Sequence, residues 1–246
     1  MDSASVYVII PTYNEVLNVE ELLMRLRAEN IENLKVLFID DNSPDGTAQT
    51  IEKHIRNTSN NNLSLVTRSH KQGLGTAYKE TFLKLIESDI DSLSIIIQMD
   101  ADLSHNPSYL KSMIELISKY DVVVGSRYIP FVIYDNNWSI HRKILSFVGN
   151  KIIRLILNID VMDITSGFKA FKLSALKKLP WDNINAKGFA FQSEMAYQCQ
   201  KSQLNIIEIP IEFNSRYNGY SKMSKLIILE TIYRVLRIRI KSSFVK

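Results

Sequence analysis

The stretch Ser94 to His105, SIIIQMDADLSH, joins a short apolar run to two acidic residues. The run from Ser94 to Met99 has the length and composition of a buried β-strand. Asp100 and Asp102 follow it, and alternate residues at the end of a strand point in the same general direction. Two carboxylates together with substrate phosphates are a common set of ligands for Mg²⁺ or Mn²⁺. The pair therefore predicts a divalent-cation site at the end of this strand.

A purely structural role is the alternative for the acidic pair. A helix is expected to begin near Pro107, and side-chain oxygens just before a helix cap its first N–H groups. Ser104 and Asn106 are equally suited to that position. A DxD pattern alone does not separate the two interpretations, so the surrounding sequence has to decide.

Apolar runs alternate with helical periodicity through the first half of the chain. We predict strands at 6–10, 34–39, 63–67, 94–99 and 121–126, and helices opening at 14–15 and covering 47–54, 73–86 and 107–119. This alternation predicts an α/β fold with a mostly parallel sheet and right-handed crossovers. Ligands of such sheets bind beyond the carboxyl ends of the strands. Polar clusters occur at those ends, at 13–15, 40–41, 100–102 and 126–127.

The regular alternation fades after Arg127. Residues 128–140 are predicted to form a long loop, and loops of that length are often functional lids. Further on we expect a helix at 142–157, a turn and short strand at 165–172, a helix at 191–201, a strand at 205–213 and a basic amphipathic helix at 225–241.

Composition indicates one sizeable folded domain, or one domain with a small appendage. The chain has 246 residues, 46% of them hydrophobic, and a net charge of +4 with a pI near 9.0. That mild excess of positive charge suits anionic small molecules or an anionic membrane surface as well as nucleic acid. A single cysteine, Cys199, excludes an internal disulfide bond. We expect no signal peptide, because the N-terminus lacks a basic region and runs directly into a predicted strand. We expect no transmembrane helix, because no run of about 18 apolar residues occurs.

The motif PTYNE, at 11–15, ends the first predicted strand. The ring of Tyr13 can stack on a nucleobase, and Glu15 can accept hydrogen bonds from a base or a ribose. The alternative is local: Asn14 caps the following helix and Glu15 interacts favourably with its first turn.

Adjacent acids at Asp40 and Asp41 end the second predicted strand. Two buried carboxylates are costly unless positive charge or hydrogen-bond donors face them. Asp41 is a candidate for binding a ribose hydroxyl or a base N–H. Asp45 and Thr47, in the turn that follows, are predicted to be structural.

Gly73 and Gly75 stand at the start of a predicted helix. The sequence around them is neither a P-loop nor a dinucleotide-binding fingerprint, because the required lysine and third glycine are absent. Their backbone N–H groups either face a phosphate or form a tight turn into the helix, and both interpretations stay open.

Basic residues, joined in one case by a serine, form two candidate groups. Arg127, Arg142 and Ser146 are able to converge beside the cation site, and arginine forks suit phosphate oxygens. Arg216 and Lys222 flank Gly219 and form a second cationic pair. The alternative for each arginine and lysine is that its side chain is simply an exposed surface charge that binds no ligand.

Taken together, the motifs resemble those of the dolichyl-phosphate (polyprenyl-phosphate) mannose synthases, which are inverting family-two glycosyltransferases with a GT-A fold. The resemblance runs from Val6 to about Lys222. The matching blocks occur in order: PTYNE, DDNSPDGT, GLGTAY, MDADLSHNP, GSRY, the pattern Trp138, Arg142, Ser146 and Asn150, DITSGFKAF, KGFAFQSE, and Pro210 through Arg216, Gly219, Ser221 and Lys222.

The resemblance implies a role for each matching position. The nucleotide pocket would include Pro11, Tyr13, Glu15, Ile39 and Asp41, with Ala101 lining the diphosphate. The cation would be held by Asp100, Asp102 and Ser104, where a serine replaces the glutamine of some relatives and is a weaker ligand. The acceptor phosphate would be held by Arg127, Arg142 and Ser146, and the donor diphosphate by Arg127, Arg216 and Lys222. Catalysis would rest on Asp102, Arg127, Arg142 and Ser146.

Three matching positions carry less information. Lys169 stands where many relatives have arginine, and we expect it to be structural. Gln192 and Glu194 match a family motif whose chemical role does not follow from the sequence.

The implied reaction transfers mannose from GDP-mannose to dolichyl or polyprenyl phosphate with inversion, for lipid-linked glycosylation, aided by Mg²⁺ or Mn²⁺. The alternative donor is UDP-glucose or another UDP-sugar. A non-catalytic sugar-nucleotide-binding module, or a receiver-type module with paired acids, is the alternative of a different class. A receiver module needs only about half of this length and leaves the blocks after Arg127 unexplained.

A lipid acceptor implies contact with a membrane and no nucleic-acid partner. We expect residues 1–222 to form the catalytic domain and residues 223–246 a basic amphipathic helix. That helix lies on the membrane surface, packs on the sheet, or docks to a small membrane-spanning partner. The resemblance implies a peripheral enzyme on the cytoplasmic face of a membrane.

Overall fold

The computed structural model describes residues 4–57, 61–129, 140–212 and 233–240, without the side chains of 140–142. The strands are β1 (Val6–Thr12), β2 (Leu34–Asp40), β3 (Leu63–Thr67), β4 (Ile95–Gln98), β5 (Val122–Ser126), β6 (Lys169–Lys172) and β7 (Ile206–Pro210). The α-helices are α1 (Val16–Ala28), α2 (Thr47–Arg56), α3 (Leu74–Glu87), α4 (Leu110–Ile117), α5 (Ile140–Leu157), α6 (Leu173–Leu176) and α7 (Ala190–Lys201). Residues 233–240 form a further helical segment.

The described strands form one sheet in the order β3-β2-β1-β4-β6-β5-β7. β1 pairs in parallel with β2 and β4, β2 with β3, and β5 with β7. β6 is antiparallel to both of its neighbours, β4 and β5. The sequence prediction of a mostly parallel α/β sheet is therefore confirmed, and the carboxyl ends of β1, β2, β4 and β5 lie along the same edge.

Both faces of the sheet are covered. In β1, Val6, Val8 and Ile10 join the cluster under α1, α2 and α4, whereas Tyr7 and Ile9 join the cluster under α3, α6 and α7. Successive strand residues point to opposite faces, so a strand covered on both sides is apolar throughout. This explains why the first predicted strand is a continuous apolar run.

The acidic pair lies in a turn beyond β4 and not within the strand itself. β4 ends at Gln98, and Leu103 has a φ of 64°, which is unusual for a bulky residue. The following 3-10 turn is capped by Asn106, whose side chain accepts a hydrogen bond from the Ser108 N–H at 3.1 Å. Asn106 is thus the cap, and the capping interpretation of the acidic pair is wrong.

α5 exposes most of its apolar side chains. Ile153 and Leu157 are buried in a third cluster, together with Val235 of the 233–240 segment. The exposed apolar residues of α5 are Ile144, Leu145, Phe147, Val148, Ile152 and Leu155. The predicted apolar face exists, but it points away from the core. Within the described ranges, no helix is long and apolar enough to cross a bilayer.

The described part of the C-terminal helix packs on the protein. Val235 is buried against residues of α5 and α7, and the guanidinium of Arg234 donates to the carbonyl of Asn185 at 3.3 Å. Tyr233, Leu236 and Ile240 remain exposed. Residues 233–240 therefore pack on the domain against α5 and α7, whereas one predicted alternative was packing on the sheet.

Candidate active site

The turn between β1 and α1 is held by the turn between β2 and α2. The backbone N–H groups of residues 14–16 donate to the side chains of Ser43, Thr47 and Asp45, at 3.0, 3.0 and 3.1 Å. Asp45 also accepts from the Thr47 N–H at 3.0 Å. The structural role predicted for Asp45 and Thr47 is confirmed. Asn14 does not cap α1: the residue at the capping position is Glu15, which makes no capping hydrogen bond, and the first N–H of the helix donates to Asp45 instead.

The predicted nucleotide-binding residues of this region lie at one edge of the sheet. Pro11 of β1 is paired with Ile39 of β2. The ring of Tyr13 is half-buried, with the ammonium of Lys71 at 3.8 Å from its centroid. The buried carboxylate of Glu15 accepts from Asn18 Nδ2 at 2.7 Å.

Asp40, the first of the adjacent acids, is a fully buried structural residue. Its Oδ1 accepts from the hydroxyls of Thr12 and Ser43 at 2.8 and 2.6 Å, and its Oδ2 accepts from the Ser43 N–H at 2.8 Å. These bonds tie the carboxyl ends of β1 and β2 together.

Asp41 faces the beginning of α3. Its Oδ1 accepts from Arg68 Nη1 at 2.7 Å, and its Oδ2 accepts from the N–H groups of Gln72 and Gly73 at 3.2 and 2.9 Å. Positive charge and donors therefore compensate the buried carboxylate, as the sequence required.

The tight-turn interpretation of Gly73 and Gly75 is confirmed. The Gly75 N–H donates to the carbonyl of Lys187 at 2.8 Å, and the Gly73 N–H donates to Asp41. A Cβ on Gly75 would lie 2.3 Å from the carbonyl oxygen of Ala186, so only glycine fits there. These two N–H groups have protein acceptors and do not face a phosphate.

The acidic pair consists of one open and one enclosed carboxylate. The Asp100 side chain is 44% exposed, whereas Asp102 is 5% exposed. Oδ1 of Asp102 accepts from the Ser104 hydroxyl at 2.6 Å and from the Ser104 N–H at 3.1 Å. Ala101 between them is buried.

His105 lies behind Asp100 and carries no sequence signal that identified it. Its Nδ1 accepts from the Asp100 N–H at 3.0 Å, and its ring stacks on Phe168 with centroids 5.0 Å apart. Nε2 is 4.0 Å from Asp100 Oδ2. Burial lowers the pKa of His105, because the protonated ring loses its hydration.

These residues suit a hard divalent cation. Carboxylate and hydroxyl oxygens are the ligands that Mg²⁺ and Mn²⁺ prefer. Among the residues that the structure describes, no three or more His, Cys, Asp or Glu side chains are grouped to hold a metal. The candidate ligands in the described part of the chain are the carboxylates of Asp100 and Asp102 and the hydroxyl of Ser104.

Arg127 is fixed at the end of β5 by Asp163. Its Nε and Nη2 donate to the two carboxylate oxygens at 2.7 and 2.8 Å, and its backbone N–H donates to Oδ2 at 3.0 Å. Nη2 also donates to Thr165 Oγ1 at 2.7 Å. Burial alone would raise the pKa of Asp163, but the charge and hydrogen bonds of Arg127 outweigh it and lower that pKa.

Ser146 is brought to the same place by α5. Its hydroxyl is 2.6 Å from the hydroxyl of Tyr128, the neighbour of Arg127. Arg142 lies one turn earlier in α5, and its side chain is outside the described residues, as are Arg216 and Lys222 and positions 130–139 of the predicted lid.

Gln192 and Glu194 of α7 hold two neighbouring segments in place. Oε1 of Gln192 accepts from Lys169 Nζ at 3.0 Å, and burial lowers the pKa of Lys169 to about 8. Oε2 of Glu194 accepts from the N–H groups of Asn185 and Ala186 at 2.8 and 2.7 Å. The structural role expected for Lys169 agrees with its full burial.

Comparison with known proteins identifies the family. Residues 7–180 match the sequence model of the family described as Glycosyl transferase family 2. The undecaprenyl-phosphate mannosyltransferase of Micrococcus luteus is 36% identical over 235 residues, which are 94% of this chain and 93% of that protein. The polyprenol monophosphomannose synthase of Mycolicibacterium smegmatis is 32% identical over 229 residues, which are 93% of this chain and 84% of that protein.

Solved structures share the fold at low sequence identity. Glucosyl-3-phosphoglycerate synthase of Mycobacterium tuberculosis, crystallised with Mn²⁺, UDP-glucose and phosphoglyceric acid, has a TM-score of 0.68 and 14% identity, over 96% of this chain and 80% of that one. Mannosyl-3-phosphoglycerate synthase of Rubrobacter xylanophilus has a TM-score of 0.67 and 14% identity, over 96% of this chain and 73% of that one. The fold is therefore GT-A, and the chain belongs to glycosyl transferase family 2.

Proposed function

We propose that this chain transfers mannose from GDP-mannose to a polyprenyl phosphate such as dolichyl phosphate, with inversion at the anomeric carbon. The observation that carries the proposal is that the candidate cation ligands and the candidate phosphate ligands lie at the same edge of the sheet. Asp100 and Asp102 follow β4, whereas Arg127 follows β5 and has Ser146 nearby. Only one strand, β6, separates β4 from β5. The two relatives named as polyprenyl-phosphate mannosyltransferases match nearly the whole chain and support this acceptor.

The donor nucleotide would lie over the ends of β1 and β2. Tyr13 offers a ring for the base, and Glu15 and Asp41 offer carboxylates beside Pro11 and Ile39. The diphosphate would extend toward Ala101, with Arg216 and Lys222 closing over it in the part of the chain outside the described residues.

The cation would be held by Asp100 and Asp102, with the Ser104 hydroxyl beside them. When bound, Mg²⁺ or Mn²⁺ offsets the charge that develops on the departing GDP. The protein's own contribution is to hold the enclosed carboxylate of Asp102 in one orientation, so that little reorganisation is needed during the reaction.

The acceptor phosphate would be held by Arg127, Arg142 and Ser146. It is already an anion, so the site needs no strong general base. These side chains instead orient one phosphate oxygen behind the anomeric carbon, and positioning of this kind lowers the barrier by converting a bimolecular step into a unimolecular one.

The exposed apolar face of α5 offers a surface for the membrane that contains the acceptor. Leu145 and Leu155 on this face are 66% and 72% exposed, and Ser146 belongs to the same helix. Basic residues of α5 and of the 233–240 segment favour an anionic, cytoplasmic leaflet. We propose peripheral attachment there, aided by residues 223–246 or by a small membrane-spanning partner.

Vesicle binding tests this attachment. The double variant Leu145→Ser, Leu155→Ser should sediment less with vesicles containing anionic phospholipid, whereas Leu17→Ser, which removes a leucine of α1 that is 70% exposed, should sediment like the wild type. Unchanged sedimentation of the double variant would contradict the proposal.

A comparison of donors tests the reaction. Labelled GDP-mannose and UDP-glucose are each offered with a short polyprenyl phosphate in detergent, with Mg²⁺ or Mn²⁺. We expect a labelled lipid from GDP-mannose alone. Product from UDP-glucose alone would preserve the acceptor and overturn the donor. Tight GDP binding without any product would indicate a non-catalytic sugar-nucleotide-binding protein.

A further inference from the structure

A single turn, residues 162–167, lies between the proposed acceptor-phosphate arginine and the proposed cation site. Its beginning carries Asp163, which holds Arg127. Its end carries Gly167, where a Cβ would lie 3.3 and 3.4 Å from the carboxylate oxygens of Asp100. We call this segment the bridging turn.

The contact between Asp163 and Arg127 fixes the orientation of the guanidinium. Both carboxylate oxygens accept from it, at 2.7 and 2.8 Å, which is the bidentate geometry of a strong charge-assisted pair. Asp163 is fully buried, and the Arg127 side chain is 12% exposed. A buried carboxylate without its arginine is costly, so the pair stays closed before any ligand arrives.

The bridging turn is anchored from three directions at its beginning and centre. The carboxylate of Glu208 in β7 accepts from the N–H groups of Met162 and Asp163 at 2.6 and 2.9 Å. Asn150 of α5 donates from Nδ2 to the carbonyl of Met162. The hydroxyl of Ser166 donates to the carbonyl of Gly125 in β5 at 2.6 Å.

The buried ammonium group of Lys169 contacts the C-terminal end of the bridging turn. Nζ of Lys169 donates to the carbonyl of Ser166 and to Gln192. This gives the otherwise unexplained Gln192 a role, because it fixes the lysine that fixes the turn. The bridging turn therefore has little freedom to shift Arg127 relative to Asp100.

We propose that Asp163 and Glu208 are positioning residues for the acceptor phosphate. Asp163 orients the guanidinium of Arg127, and Glu208 holds Asp163 through its backbone N–H. Neither residue needs to touch the substrate. This inference rests on the proposed function, because it takes Arg127 to be a ligand of the acceptor phosphate.

Direct binding to the full-length chain tests this inference without requiring turnover. Farnesyl phosphate serves as a short isoprenyl-phosphate probe, farnesol as the probe without phosphate, and GDP with Mn²⁺ as the probe of the donor side. The variants are Asp163→Asn and Glu208→Gln. The matched control is Asp160→Asn, which removes an exposed carboxylate three residues away.

We expect Asp163→Asn to weaken farnesyl phosphate binding by about tenfold or more, and Glu208→Gln to weaken it in the same direction. GDP binding with Mn²⁺ should fall by a clearly smaller factor, because Arg127 would share the donor diphosphate with Arg216, Lys222 and the cation. Asp160→Asn should change neither the dissociation constant for farnesyl phosphate nor that for GDP. If Asp163 and Glu208 had a purely structural role, the variants would weaken the binding of farnesyl phosphate and of GDP to the same extent.

Several results would overturn the inference. One is wild-type affinity of Asp163→Asn for farnesyl phosphate, and another is a parallel loss of GDP binding. A third is a wild-type chain that binds farnesyl phosphate no better than farnesol.

If Asp163→Asn does not fold, Thr165→Val provides the test, because it removes one hydrogen bond to Arg127 and one to Asp163 but keeps the ion pair between them. It should weaken farnesyl phosphate binding by about threefold to tenfold, and an unchanged affinity would overturn the inference. The proposed function fails separately if farnesyl phosphate binding depends on Asp163 but the wild type transfers no mannose.

Discussion

The Ser104 hydroxyl donates a 2.6 Å hydrogen bond to Oδ1 of Asp102, and the Ser104 N–H donates to the same oxygen at 3.1 Å. Leu103, between them, has the left-handed φ of 64° that lets both donors reach one atom. The enclosed carboxylate is therefore oriented by its own turn before a cation binds. The resemblance suggested Ser104 as a cation ligand. In the structure, Ser104 orients Asp102, which is another suggested ligand.

Replacing Ser104 should weaken cation binding without removing it. Ser104→Ala loses a donor to Asp102 and a candidate ligand oxygen, and we expect about a tenfold loss of Mn²⁺ affinity. The measurement is a Mn²⁺ titration in the presence of GDP. Ser108→Ala, which removes an exposed hydroxyl nearby, is the control. An unchanged Mn²⁺ affinity of Ser104→Ala would contradict this role.

The pair formed by Arg68 and Asp41 should make a large contribution to stability. Their side chains are 5% and 7% exposed, so Arg68→Met leaves a buried carboxylate with only backbone donors. We expect a loss of about 3 kcal/mol in the free energy of unfolding, measured by urea denaturation.

Arg56→Met is the matched control for the loss of an arginine. Arg56 forms an exposed pair with Glu52 at 3.9 Å, and its removal should change the free energy of unfolding by less than about 0.5 kcal/mol. Equal losses in Arg68→Met and Arg56→Met would show that burial of the Asp41 pair does not matter.

The buried Lys169 should make stability depend on pH. Its pKa is lowered to about 8 in the folded state from 10.5. Between these values the unfolded chain binds the additional proton, so this group destabilises the fold below pH 8 and the penalty disappears as the pH rises toward 10.5. The penalty amounts to about 3 kcal/mol.

Comparison with Lys169→Met isolates that effect. The difference in unfolding free energy, wild type minus variant, should rise between pH 8 and 10.5. Burial raises the pKa of Cys199 to about 12 and acts in the opposite direction above pH 9, and Lys169 interacts with this thiol, so both proteins in this comparison carry Cys199→Ala. Lys172→Met controls for the loss of one charge from the same strand. A difference that does not change with pH would refute the prediction.

The sequence predicts the positions of the strands and helices better than it predicts which strands pair with each other. Continuous apolar runs such as residues 95–97 identify buried strands, because a strand covered on both faces has no side that must be polar. β6 was predicted as a strand, but its antiparallel place between β4 and β5 depends on contacts between distant segments. No local pattern encodes those contacts.

The same limit applies to the site. Residue type and position after strands make the acids and arginines candidates for the site, but they do not indicate which residues contact them. Asp163, which holds Arg127, is 36 residues away in the sequence, and Arg68, which holds Asp41, is 27 residues away. His105 was missed because its contact with the Asp100 N–H depends on the turn conformation.

The most direct test is mannose transfer by the wild type and by Asp102→Asn. Both proteins are assayed with labelled GDP-mannose and a short polyprenyl phosphate, with Mg²⁺ or Mn²⁺ and with EDTA. We predict a labelled lipid from the wild type that EDTA abolishes, and at least about a hundredfold less product from Asp102→Asn. Wild-type turnover by Asp102→Asn, or transfer by the wild type that persists in EDTA, would contradict the account.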